Sequence, residues 1–263
     1  MAILKKENEP KIDMVQIENR IDQAMEKVKM AYETHFDSSK VIHLNKERFI
    51  FCLGAVSSTR MINGIDQHMG FEKHYYCKDE AKKEMTRFHL RKMYGFDSEK
   101  SLLEAGNRMF TSGVDYKNFV TFWNNEPSFD KNKLPPEARA FFDQCKDFAR
   151  LFYPYLKNNG MWAWDINERV GMLRAALACG IINEEKFDAF ASELADMALD
   201  YFHDWEEYAL SCLGGGAYFM FKQSGGELEH AIHFMEMNAT IIEHIIQNDR
   251  VWLDAYWGFE RPN

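Results

Sequence analysis

Apolar side chains recur every three or four residues along most of the chain, which is the spacing of amphipathic α-helices. The first such run extends from Ile12 to about His35, with charged and polar residues on its other face. Strand-like alternation with a period of two is scarce, so the sequence predicts an all-α protein. The further predicted helices are Arg48 to Met61, Lys78 to Tyr94, Glu99 to Phe110, Asp115 through Trp123, Ala138 to Tyr153, Ile166 to Cys179, Glu184 to Phe202, Trp205 to Phe221, Glu227 to Gln247 and a short Val251 to Trp257.

Residues typical of helix ends separate these runs. Gly95 is expected to end the third run as a C-cap, and Asp97 to begin the fourth. The polar segment Asn124 to Pro136 has no period and is the clearest loop, and its last proline is well suited to begin the next helix. Pro154 is expected to end that helix. The prediction is a single globular bundle of about ten helices with short turns and a loosely attached N-terminal helix.

Composition and charge narrow the class of protein. With 46% hydrophobic and 28% charged residues, the chain is neither disordered nor fibrous. Its net charge of −9 argues against nucleic-acid or anionic-membrane binding and favours a basic partner. The five cysteines are widely spaced without a Cys-x-x-Cys pair, and no signal peptide or membrane span is recognisable. We therefore expect a cytoplasmic protein.

Two helix starts combine tryptophan with carboxylates. In the first, Asp165 is the predicted N-cap and Glu168 the third helical residue, an acidic variant of the capping box. The second start has Asp204 as the N-cap and Glu207 in the third position. Each carboxylate cap is expected to stabilise its helix by roughly 1 kcal/mol.

These two starts carry a family resemblance. The segments WAWDINERVGMLRAALACGIINEEKF and DWEEYALSCLGGGAYF resemble the bacterial family called domain of unknown function 1266. A weaker likeness extends the resemblance from about Phe49 to Phe221. The family implies no known reaction. The matching positions are Trp164, Asp165, Val170, Arg174, Gly180, Ile182, Glu184, Glu185, Trp205, Glu206, Tyr208 and Gly215.

The chain departs from the family pattern at three positions. Glu168 stands where the family usually has arginine, Asp204 replaces serine, and Cys212 replaces an aromatic residue. The first exchange argues against a catalytic arginine there. With the resemblance included, the predicted organisation is an N-terminal amphipathic helix and linker over 1–45, a family-like α-helical domain over 46–225, and C-terminal helices packed on that domain over 226–263.

Aromatic and charged residues at the two starts suggest a binding site. Trp164 and Trp205 are predicted to share one wall of a pocket, with Asp165, Arg174 and Glu206 at its rim. The alternative is that these tryptophans belong to the helical core. Several other aromatic residues could join such a groove, namely Trp162, Trp252, Trp257, Tyr153, Tyr155 and Tyr256.

A metal site is the weaker possibility. Glu227 and His230 have the i, i+3 spacing of half a di-iron carboxylate site, and His233 lies on the next turn. The sequence has no second Glu-x-x-His copy, so the alternative is that these are surface residues. Gly214 to Gly216 lack the pattern of a phosphate loop and are expected to let another helix approach closely. The sequence predicts no cofactor and no catalytic residue.

Three functions remain open at this level. The first is a cytosolic binding protein acting by occlusion, most concretely an immunity protein that neutralises a basic toxin or enzyme. The second is an enzyme, a hydrolase or transferase with an acid/base pair formed by Asp165 and Glu206. The third is a secreted effector domain. The sequence favours the first and does not fix the oligomeric state.

Overall fold

A computed structural model describes residues 13–60, 71, 74–111 and 130–259. Over these residues the chain is mostly helical, which confirms the all-α prediction. The predicted helix from Asp115 to Trp123 lies outside the described residues. The helices are α1 (Met14–His35), α2 (Lys46–Leu53), α3 (Ala55–Thr59), α4 (Glu80–Tyr94), α5 (Glu99–Thr111), α6 (Pro136–Leu156), α7 (Trp162–Ala178), α8 (Glu184–Tyr201), α9 (Trp205–Gln223) and α10 (Leu228–His244).

Two buried helices, α7 and α9, form the centre of the fold. They pack against each other; α7 also contacts α2, α3, α4 and α8, whereas α9 also contacts α1, α6 and α10. Nearly every residue of α7 is buried, so it lacks the one-sided pattern of a surface helix. Among the described helices, none combines the length and the apolar character needed to cross a membrane.

Glycines allow the two central helices to touch closely. A Cβ atom on Gly215 would lie 2.5 Å from Trp164 Cβ and 2.8 Å from the Met161 carbonyl oxygen. A Cβ on Gly216 would lie 2.7 Å from the Trp164 ring, and one on Gly214 would lie 2.6 Å from Leu156. These distances are too short for a real Cβ atom, so the expected close approach at the three glycines is confirmed.

The N-terminal helix belongs to the core, and the prediction of a loosely attached helix was wrong. Ile17, Met25 and Val28 of α1 are buried against α9 and α10. The side chain of Arg20 also ties α1 to α10, because its Nε and Nη2 donate to the two carboxylate oxygens of Glu236 at 2.7 and 2.8 Å. The polar face of α1 therefore contacts protein as well as solvent.

The C-terminal end forms a strand where a short helix from Val251 to Trp257 was predicted. Strand β2 (Ala255–Phe259) pairs in parallel with β1 (Ile42–Leu44), with an irregular register between Ile42–Ala255 and Leu44–Phe259. A short aromatic run fits either element, and here the aromatic residues fit the strand. This two-stranded sheet joins the segment that follows α1 to the C-terminal end of the described chain.

Helix ends follow the local rules in part. Gly95 ends α4 with a φ of 77°, and Pro136 begins α6, as predicted. Ser98, not Asp97, is the N-cap of α5, because its hydroxyl accepts from the Ser101 N–H at 3.3 Å. The predicted second helix is interrupted at Gly54. Pro154 lies inside the last turn of α6 and does not end it.

The close contact at Gly215 predicts that a glycine-to-alanine change lowers the free energy of unfolding, although in most helices this change raises it. In an open helix this change stabilises by about 0.5–1 kcal/mol. Here the new methyl group would collide with the backbone of Met161. We expect Gly215→Ala to lower the free energy of unfolding by about 1–3 kcal/mol in urea titrations.

The matched control is Glu193→Ala on the exposed face of α8, which should change the free energy of unfolding by less than about 0.5 kcal/mol. An equal or higher stability of Gly215→Ala would mean that α7 can move away from α9 without cost.

Candidate binding cleft

A cleft of about 460 Å³ opens where the end of α1, the start of α9 and β2 meet. Its volume lies within the range of small-molecule and side-chain sites. We call this feature the cleft. Its aromatic lining consists of Tyr32, Phe36, Trp205, Trp252, Tyr256 and Trp257.

Two hydrogen bonds at the start of α9 fix Trp205 at the base of the cleft. Asp204 Oδ1 accepts from the Glu207 N–H at 2.8 Å, and Glu207 accepts in return from the His203 N–H at 3.0 Å. The predicted N-cap at Asp204 is thereby confirmed. Trp205 is the first residue of α9, and its indole N–H donates to the Ala255 carbonyl oxygen at 3.0 Å. The start of α9 and the strand β2 are therefore held together.

The tryptophans of the cleft support one another. The Trp205 ring stacks on Trp252 at 5.9 Å and meets Trp257 edge to face at 4.7 Å. The indole of Trp252 donates to the Cys52 carbonyl at 2.8 Å, and that of Trp257 to the Phe202 carbonyl at 2.9 Å. Because each ring is fixed by packing and by a hydrogen bond, the cleft is formed before any ligand enters.

The mouth of the cleft is apolar and open to solvent. Phe36 is 56% exposed and Tyr256 53% exposed. The ring of His43 lies 4.9 Å from the Tyr256 ring, and the neighbouring Ile42 is also exposed. Large apolar side chains grouped at a cavity mouth are typical of an interaction surface.

The charged residues of the cleft are acidic. Glu33, Asp204 and Glu206 line it, and no lysine or arginine is among its described lining residues. Burial raises the pKa of Glu206 above its usual value, and the neighbouring Asp204 carboxylate adds to the shift, while Lys29 acts against it. The ionised carboxylate of Glu206 is therefore only partly solvated, and the nearby positive charge does not compensate for this. A cation in the cleft would stabilise it.

A second cavity of about 430 Å³ lies on the other side of Asp204 and Glu206. Its lining is more polar and includes Lys29, Tyr155 and Lys157. The basic residues near the start of α9 thus face this second cavity. The cleft itself keeps its acidic rim.

The predicted shared wall of Trp164 and Trp205 does not form. Trp164 packs in the core against Phe219, Phe234 and the glycines of α9. Trp205 is ten residues before Gly215 on the same helix, which corresponds to about 15 Å. The two tryptophans have separate ring neighbours, so only Trp205 belongs to the cleft.

Asp165 and Arg174 also lie away from the cleft. Asp165 is in the first turn of α7, which begins at Trp162, so its assignment as an N-cap was wrong. It lines neither of the two described cavities that Glu206 lines, so neither cavity brings the predicted acid/base pair together. Arg174 is buried, with its guanidinium 4.4 Å from the Phe51 ring centre and Nη1 donating to Ser58 Oγ at 3.0 Å. Burial lowers the pKa of Arg174 to about 10.

Glu168 belongs to a buried polar cluster, and its predicted capping role was wrong. It forms an ion pair with Arg60, whose guanidinium lies 4.8 Å from the Trp164 ring centre. Asn167 Nδ2 and the Tyr94 hydroxyl also donate to its carboxylate, at 3.0 and 3.3 Å. Removing one member of such a cluster leaves the others buried without compensation.

The predicted metal residues are exposed at the start of α10, with Glu227 as its N-cap residue and the two histidines on its first turns. His230 Nδ1 is 2.7 Å from Glu227, whereas His233 Nδ1 is 4.0 Å from Glu236, which binds Arg20. Within the described ranges, no group of three or more His, Cys, Asp or Glu side chains is arranged to hold a metal ion. The three residues therefore do not form one site. Glu227 pairs with His230, and His233 lies apart from them beside Glu236.

Sequence reasoning missed the wall of the cleft that α1 contributes. Tyr32, Glu33 and Phe36 stand at the end of an ordinary amphipathic pattern. The Tyr32 hydroxyl donates to the Trp252 carbonyl at 3.4 Å, a contact between positions 220 residues apart. No local signal reveals such a pairing.

The fold and the cleft define an all-α protein with an aromatic, acid-rimmed cleft. The model of the family described as Protein of unknown function (DUF1266) matches residues 69–257, and the chain belongs to that family. The match extends further toward the C-terminus than the resemblance from Phe49 to Phe221 and begins later. Neither a curated protein nor a solved structure gave a significant match.

The raised pKa of Glu206 predicts how its neutral replacement changes stability. A carboxyl whose pKa is higher in the folded chain destabilises the fold when ionised, and the penalty disappears as pH falls below the usual glutamate range. We expect Glu206→Gln to raise the free energy of unfolding by roughly 0.2–1 kcal/mol near neutral pH. Near pH 4 and below, the difference should vanish.

Urea unfolding of both proteins at the two pH values checks this prediction. Glu193→Gln, an exposed change on α8, is the control and should show no such pH-dependent gain. A loss of stability for Glu206→Gln at neutral pH would contradict the unfavourable environment that the pKa shift implies.

Proposed function

We propose that this chain is a cytosolic binding protein that occludes a basic protein partner, without turnover. Its most concrete form is an immunity protein that neutralises a bacterial toxin. The observation that carries the proposal is the preformed cleft with exposed aromatic residues at its mouth and carboxylates at its rim. Aromatic side chains supply much of the binding free energy in protein interfaces, and a preformed site loses little entropy on binding.

Charge supports a basic partner. The chain has a net charge of −9, and Glu33, Asp204 and Glu206 concentrate negative charge at the cleft. Such a surface attracts a basic protein during diffusion and accelerates association at low ionic strength.

The compartment is proposed from the cysteines. All five are buried and unbridged, as is usual for proteins of a reducing cytosol. The binding role is preferred to an enzyme with Asp165 and Glu206 as its acid/base pair, because Asp165 lines neither of the two described cavities that Glu206 lines.

Capture of a partner from the native host tests the proposal. The full chain should retain a stoichiometric basic protein, and the complex should weaken steadily as salt rises. Phe36→Ser should weaken capture by about tenfold or more, since hot-spot aromatics contribute about 2 kcal/mol or more. Capture should be followed by mass spectrometry and affinity by titration.

Phe88→Ser is the matched control. Phe88 is a phenylalanine on α4 with 62% exposure against 56% for Phe36, so its replacement should affect solubility similarly but leave capture unchanged. Absence of any stoichiometric protein partner, or equal loss in both variants, would contradict the proposed function.

A further inference from the structure

The cleft combines two features that together select a positive charge. Its walls are aromatic rings, whose faces attract cations, and its rim holds the Glu33 and Glu206 carboxylates. An apolar ligand would leave these carboxylates partly desolvated without compensation, and an anion would be repelled. The chemistry of the lining therefore favours an organic cation over either.

We infer that the cleft receives an arginine side chain presented by the partner protein, an inference that rests on the proposed function. The guanidinium would lie against the aromatic rings at the mouth while donating to the carboxylate at the start of α9. The aliphatic part of the side chain would contact Phe36 and Tyr256, whose rings are exposed at the entrance.

Arginine fits this lining better than lysine. Its planar guanidinium stacks on aromatic faces, is more weakly hydrated than an ammonium group, and can donate two parallel hydrogen bonds to one carboxylate. A cleft of about 460 Å³ also has room for a long side chain together with adjoining backbone.

Neighbouring positive charges do not neutralise the acidic rim of the cleft. Lys29, the positive group that acts on Glu206, reaches toward the second cavity, where its Nζ lies 5.5 Å from the Tyr155 ring centre. The carboxylates of Asp204 and Glu207 accept hydrogen bonds at the start of α9, and the His203 ring lies 3.1 Å from Glu207. Glu33 from α1 and Glu206 from α9 are thus the two acids best placed to meet an incoming cation.

Small capped amino acids test the inference on the full chain. Nα-acetylarginine amide is compared with Nα-acetylcitrulline amide, which has nearly the same shape without the charge. A third probe is Nα-acetyllysine amide, whose side-chain ammonium group stays charged. Binding is followed by NMR of the tryptophan indole N–H groups. The arginine probe should shift the Trp205 and Trp257 signals with saturation and leave the Trp164 signal unchanged. The citrulline probe should bind at least about tenfold more weakly.

Two variants on one helix provide a matched pair. Glu33→Gln should weaken the arginine probe several-fold, whereas Glu18→Gln, an exposed glutamate fifteen residues earlier on α1, should not. Lowering the pH until Glu206 is protonated should also weaken binding, since the positive probe then loses its partner at the start of α9. The facing titratable groups in this titration are Glu33, His203, Asp204 and Glu207, with Lys29 behind them.

The outcomes separate this inference from the proposed function. Equal binding of citrulline and arginine, tighter binding of lysine, or shifts confined to Trp164 would overturn the arginine inference. If no probe binds but a protein partner is captured through Phe36, the inference is wrong and the proposed function stands. If the arginine probe binds as expected but no protein partner is found, the cation site stands and occlusion of a protein is wrong.

Discussion

The contact between α7 and the glycines of α9 is the constraint on which the rest of the structure depends. With Gly214 to Gly216 facing Leu156, Met161 and Trp164, the helices approach more closely than larger residues allow. This closeness buries α7 on all sides, so its polar side chains need partners inside the protein. Asn167 and Glu168 find them in the Ser57 N–H, Arg60 and Tyr94.

The cleft follows from the same arrangement. Since α9 is held along its second half by α7, its first turn has a defined position. The Asp204 N-cap and the contact with the Ala255 carbonyl oxygen then orient Trp205. The remaining walls come from the end of α1 and from β2, at opposite ends of the described chain. The α1 wall lies outside the segment that matches the family model. The cleft of this chain therefore joins elements inside the matched segment to a helix that lies before it.

Local signals predicted the helices but only half of the site. The cap at Asp204 was predictable because its hydrogen bonds join residues three positions apart. The cap predicted at Asp165 does not form, because α7 begins three residues earlier, at Trp162. There the Ala163 N–H donates to Ser211 Oγ at 3.2 Å. A tertiary partner there replaces the local cap. Trp164 and Trp205 are equivalent in sequence pattern, and only their contacts with distant helices separate a core residue from a cleft residue.

The acidic residues at the start of α9 differ in what they contribute to the helix. Asp204 and Glu207 accept backbone hydrogen bonds and so stabilise the helix, whose positive end also favours them. Glu206 stands in the same first turn but accepts no backbone hydrogen bond among those described, and it is partly buried beside like charges. An unneeded carboxylate in an unfavourable environment costs stability, whereas the same carboxylate facing a cation gains from its partial desolvation. The net charge of −9 is therefore less informative than the position of this one residue, because the position specifies where a positive group would be stabilised.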